Sequence, residues 1–268
     1  MKITGKTFAT KKEEIDYLVK HNKEIIEFKK AVVKHTTPTT TDKESCSTVK
    51  ALSTSKEHDT DNVIKRTVIG NTYNWLDSHG DVHLDGTFGK SISERQNKIW
   101  HLHDHEQKIT AKVGIPSKIY EEKIEWSDLG IKKAGTTTAL MMDSDIRKDY
   151  NNLIFQEYKD GNIDQHSVGM YYVKIDFAVN DKEHKAEFKT WNDNIHKIGN
   201  REKAEELGYF YAVKEAKLVE ISAVLQGSNE LTPTIEAKDI EPEQSTQTNE
   251  PEKSTQKINN NLRNNLLI

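Results

Sequence analysis

The chain has 268 residues, with 39 Lys and Arg against 43 Asp and Glu for a formal net charge of −4. The two signs are intermixed, so no basic block tracks a phosphate backbone and nucleic acid is not expected as a ligand. Only 34% of the residues are apolar while 31% are charged, which suits one core with polar appendages and leaves no run of roughly 20 apolar residues to cross a bilayer.

The charged start MKITGKTFATKKEE lacks the apolar segment of a secretory signal, so a cytoplasmic origin is expected. From Lys11 to Lys34, the residues Ile15, Leu18, Val19, Ile25, Ile26, Val32 and Val33 recur at helical spacing, predicting one amphipathic helix. Periodicity does not say whether it packs on the domain or docks elsewhere. Residues 35–61 are rich in Thr, Ser and charge and read as a flexible linker. The single cysteine, Cys46, lies there. It excludes a disulfide framework or thiolate zinc cage and reads as an incidental thiol.

The domain is expected over residues 62–231. Strands are predicted at Val63 to Ile69, Lys98 to His103, Thr137 to Met142, Val168 to Phe177, Tyr209 to Val213 and Leu218 to Leu225. A helix capped by Ser144 should run to Gly161, and Asn200 should open a shorter one through Leu207. Residues 232–268 read as a disordered tail whose apolar end, Leu266 to Ile268, could act as a sticker. The fold class is α+β, a mainly antiparallel sheet or β-barrel with a few helices.

Three segments carry candidate chemistry. In Trp100-His101-Leu102-His103-Asp104-His105, a strand period of two would put all three histidines on one face. Gln165-His166-Ser167-Val168-Gly169-Met170 begins a strand, and Leu218-Val219-Glu220-Ile221-Ser222 sets a carboxylate in an apolar run, where burial demands a partner. A serine nucleophile needs a histidine to take its proton and a third group to orient that histidine. Ser167, one of the histidines and Glu220 supply those types. Other readings stand beside this one: three alternate histidines could ligate a metal for hydrolysis, or the chain could be a non-enzymatic capsid or tail protein.

The order of motifs resembles the caudovirus prohead serine protease family, related in fold to the herpesvirus assemblin proteases. Asn74 to Phe88, with Asp77, Gly80-Asp81 and Gly86-Thr87-Phe88, is similar to that family's opening motif, which introduces a helix. His103-Asp104 matches its strand end, Lys112-Val113-Gly114 its return strand, Ser167-Val168-Gly169-Met170 its nucleophile motif, and Leu218 to Asn229 its closing strand and turn. The likeness spans Val63 to Leu231. Asp85 replaces a usual proline, the return strand lacks Pro-Ile-Gly, and a polar insertion fills Asn180 to Asn200.

The resemblance implies a serine endopeptidase with Ser167 as nucleophile, His103 as general base and Glu220 as orienting carboxylate. It implies backbone donors from Gln226-Gly227-Ser228-Asn229 for the oxyanion, and no cofactor or metal. Its substrates would be phage scaffold and major capsid protein, and the chain itself, inside the assembling prohead in the host cytoplasm. Whether it forms a homo-oligomer is left open.

Overall fold

The computed structural model describes residues 6–33 and 59–236. The greater part of the expected linker and of the expected tail, with Cys46 and Leu266 to Ile268, lies outside them. The single N-terminal helix expected to Lys34 is instead two, α1 (Lys11–Lys20) and α2 (Asn22–Ala31), broken at His21. The Thr10 hydroxyl caps the first by accepting from Glu13 N at 3.2 Å. Both pack on the domain, with Ile15, Leu18 and Ile25 joining its main core.

The domain runs β1 (Val63–Thr72), β2 (Asp81–His83), α3 (Gly89–Arg95), β3 (Trp100–His103), β4 (Lys112–Glu125), β5 (Thr136–Arg147), α4 (Asn152–Asp160), β6 (His166–Val179), α5 (Lys185–Asn194), α6 (Arg201–Leu207), β7 (Tyr209–Ala223) and β8 (Thr234–Glu236). The α+β class holds, but the sheet is mixed and does not close into a barrel. β6 pairs along one edge of β7, while β2 and β3 share the other, both parallel to it. The antiparallel ladder then continues through β4, β5 and β1 to β8. Thr232 O accepts from His166 N and Pro233 O from Ile69 N, so this segment touches both β6 and β1 without a continuous ladder.

Several boundaries move for physical reasons. Ser144 does not cap a helix, because β5 is laddered on both edges, to β1 and β4, as far as Ile146. Asn151 caps α4 instead, its Oδ1 accepting from Ile154 N at 3.1 Å, and Gly161 ends it as expected at φ 78°. The two strands expected between Tyr209 and Leu225 are one, since β6 pairs with β7 from end to end. Thr232 is fully buried and β8 pairs with β1, so residues 232–236 belong to the domain and not to a tail. The polar insertion contributes α5, whose Trp191 packs with Ile195, Ile198 and Phe210 in a second core.

Candidate functional site

The site follows from the pairing around the C-terminal end of β7. Ser167 lies opposite Ser222, and Gly169 opposite Glu220, across the β6–β7 ladder. Because side chains alternate, these four positions share one face, while His166, Val168 and Ile221 point to the other. On the core side, His166 sits with His101 and Tyr158, and Val168 is buried. On the opposite side, Glu220 is fully buried and Ser167 is 3% exposed.

β3 enters this arrangement parallel to β7, with His103 opposite Ala223. The strand stops there. Asp104 and His105 both adopt positive φ, 51° and 58°, and Glu106 N donates to His103 O at 3.1 Å. These are the marks of a type I′ turn, whose central positions usually hold Asn and Gly. A non-glycine residue in the second of them is uncommon, although histidine is among the side chains that tolerate the left-handed region.

The turn brings His105 back over β7. Its Nδ1 lies 2.7 Å from Glu220 Oε1, and its backbone N donates to Ser222 Oγ at 3.3 Å. Ser222 Oγ in turn donates to Glu220 Oε2 at 2.6 Å. Both carboxylate oxygens thus accept hydrogen bonds, as a buried carboxylate requires. Because a carboxylate accepts, Nδ1 of His105 carries the proton, leaving Nε2 as the basic nitrogen.

The glutamate occupies the space over Gly169. A Cβ there would fall 2.0 Å from Glu220 Oε1, so only glycine admits the carboxylate. The turn that follows β7 approaches from another side: a Cβ on Gly227 would lie 2.8 Å from His166 O and 3.7 Å from Ser167 Cβ. Backbone of the 226–229 turn therefore sits against Ser167.

Of the three expected site residues, the structure brings Ser167 and Glu220 onto one face and leaves His103 out. His103 Nδ1 bonds to Asp104 Oδ2 at 2.9 Å, and its side chain is 20% exposed against 9% for His105. Register is the cause: His103 stands opposite Ala223, on the face of Ile221, and the turn that follows reverses His105 toward Glu220. It is therefore His105, and not His103, that the turn carries to the buried carboxylate, and Asp104-His105 lacks the Asn-Gly spelling that marks such a turn in sequence. The three histidines diverge, so the three-ligand metal reading loses its geometry; among the described residues no group of three His, Cys, Asp or Glu is placed to hold a metal ion.

His101 goes to the core. His166 Nδ1 lies 3.0 Å from Thr232 O, so it donates, and its Nε2 must then accept from Tyr158 OH at 2.8 Å. His101 Nε2 consequently donates to Tyr158 OH at 3.0 Å, and its Nδ1 accepts from Ser144 Oγ at 2.9 Å. Both rings are neutral in this chain. Burial lowers His166 to a pKa of about 4 and holds His101 well below its usual value, the latter helped by the neighbouring His166.

No protein-family model matches this chain, and neither does any curated protein or solved structure.

Proposed function

We propose that the protein is a serine endopeptidase in which Ser167 is the nucleophile, His105 the general base and then acid, and Glu220 the group that orients His105. The observation that carries this reading is the part-buried 2.7 Å contact between His105 Nδ1 and Glu220 Oε1, with His105 N also bonded to Ser222, the cross-strand neighbour of Ser167. A buried carboxylate on Nδ1 fixes the tautomer and stabilises the imidazolium formed when Nε2 takes the serine proton. Ser167 Oγ would then bond to the carbonyl carbon, and the carbonyl oxygen would become an oxyanion beside the 226–229 turn, where backbone N–H groups are the natural donors. Collapse expels the amine with the proton from His105, and water hydrolyses the acyl-enzyme by the same route.

The resemblance of motif order to prohead proteases supports scaffold and capsid protein as substrates and self-processing near the ends. Residues 35–61 and those after 236 are the segments poorest in apolar residues and the natural sites for such trimming.

The test is peptide mapping of the full chain after incubation, alone and with scaffold protein, for wild type and single variants. Specific fragments are expected from wild type and His103→Ala and none from Ser167→Ala or His105→Ala. Undiminished cleavage by Ser167→Ala would overturn the nucleophile assignment.

A further inference from the structure

A second buried polar group lies under the opening motif. Lys29, from α2, is fully buried and its Nζ lies 2.5 Å from Asp81 Oδ1 and 4.2 Å from the centre of the Tyr211 ring. Tyr172 OH, from β6, donates to the other oxygen, Asp81 Oδ2, at 2.7 Å. Asp81 is thus held by groups from two separate elements, and its own backbone N donates to Asp77 Oδ1 at 2.9 Å. Asp77 Oδ1 also accepts from His79 N at 2.8 Å, while Oδ2 accepts from Ser228 Oγ at 3.3 Å. Ser78 N adds a bond to Ser228 O at 3.1 Å.

Ser228 belongs to the turn whose neighbouring residue, Gly227, packs on Ser167. The far side of that turn is fixed by Asn229 Nδ2 donating to Thr72 O at 2.8 Å. The polar connections therefore run from the N-terminal helix pair, through two buried carboxylates, to the backbone proposed to face the oxyanion. Burial and the nearby Asp81 raise the pKa of Asp77 to about 7 even with Lys29 acting to lower it, so two acids share this interior on the strength of one ammonium.

We propose that Lys29 is a positioning residue for the 226–229 turn beside Ser167, acting through Asp81 and Asp77, so that the N-terminal helix pair is a working part of the site. The reaction half of this statement rests on the serine endopeptidase reading; the coupling half does not. A lysine that merely anchored the helices would leave the turn unchanged when it was replaced. One that balances Asp81 should release the turn when removed and restore it when the carboxylate is neutralised as well.

The experiment compares full-length wild type, Lys29→Met, and Lys29→Met with Asp81→Asn, the last removing both charges in case the single variant is poorly folded. Two quantities are read: hydrogen exchange in a peptide spanning residues 224–231, with β4 and β5 as controls, and the rate at which a fluorophosphonate labels Ser167. In that labelling, serine oxygen bonds to phosphorus, fluoride leaves, and the serine proton passes to the base. Lys29→Met should speed exchange in 224–231 about tenfold or more without a matching change in β4 and β5. It should slow labelling by about tenfold or more, as expected for displaced oxyanion donors, and the double variant should recover both. Unchanged exchange in 224–231, or equal change throughout the fold, overturns the inference. Coupled exchange with no labelling of wild type at Ser167 would sustain the coupling and sink the protease reading, so the two failures are told apart.

Discussion

Two histidine groups lie back to back across the same three strands, and they differ in what each histidine is bonded to. On the core face, His101, Tyr158 and His166 form a closed chain that ends on Ser144 Oγ and Thr232 O, with every ring nitrogen committed. On the other face, His105 meets a buried carboxylate and is held by a turn of left-handed backbone. His166 and Ser167 are adjacent in sequence yet belong to opposite groups. Residue type and sequence proximity do not distinguish them; the face of the strand and the chemistry of the partner do. On the core face the partners are a phenol, a hydroxyl and a carbonyl; on the other face the partner is a carboxylate.

The largest effect that would break this contrast is kinetic. His105→Ala should slow labelling of Ser167 by a fluorophosphonate by about 10³-fold or more, while His103→Ala should stay within about threefold of wild type. A reversal of these two rates would return the base to His103. Next in size, Gly169→Ala forces a methyl group into Glu220 and should cost about 3 kcal/mol of stability, seen as a lower urea midpoint, with the labelling rate of the remaining folded protein also reduced. An unaltered midpoint would mean that Glu220 is not seated over Gly169.

Tyr158→Phe tests the core face. It deprives both histidines of their shared phenol and should cost about 2 kcal/mol, while labelling per folded molecule changes by less than about threefold. Slower labelling without a loss of stability would place Tyr158 in the chemistry instead. The smallest effect is in pH. His83 and His166, both lowered to about 4 by burial, and His101, lowered in the same direction, bind protons more tightly when unfolded. Their contribution to stability is present above about pH 6.5 and is lost as pH falls toward 4. Asp77, raised from 3.8 to about 7, acts in the opposite sense over much of the same window. Three groups oppose one, so denaturant midpoints should fall between pH 7.5 and 6, with each histidine worth on the order of 1 kcal/mol or less. A midpoint that rises on acidification in an Asp77→Asn variant, where the opposing group is gone, would show that the buried histidines are not neutral.

Much of the fold was legible because apolar alternation marks strands wherever one face is buried: most strand positions, the helix end at Gly161 and the short helix from Asn200 follow from sequence. The errors fall where tertiary partners decide. Ser144 looks like a cap until β1 and β4 claim both edges of its strand. The residues after Leu231 are too polar to suggest a strand, yet β1 offers Thr234 to Glu236 an edge. In the site, Ser167 and Glu220 stand out by residue type and by the resemblance of their motifs, and the two share a face. Alternation alone puts all three histidines on one face, and His103 is singled out only by the resemblance of His103-Asp104 to a strand-end motif; the turn that carries His105 to Glu220 has no signal in the sequence. Ser222 was hidden by its ordinariness, since a serine two residues beyond a glutamate signifies nothing until the partner strand is known.

The seating of Glu220 over Gly169 gives the site a spelling that crosses strands. Ser167 and Gly169, two apart on β6, stand opposite Ser222 and Glu220, two apart on β7, so Ser-x-Gly on one strand and Glu-x-Ser on the other are halves of a single word. Neither half is distinctive alone. Written together, with the glycine facing the glutamate and serine facing serine, they form a search pattern that needs no overall likeness of sequence. The same register sets the least that would have to be transplanted to build this carboxylate seat into another sheet: two adjacent antiparallel strands and a turn able to hold a histidine above them.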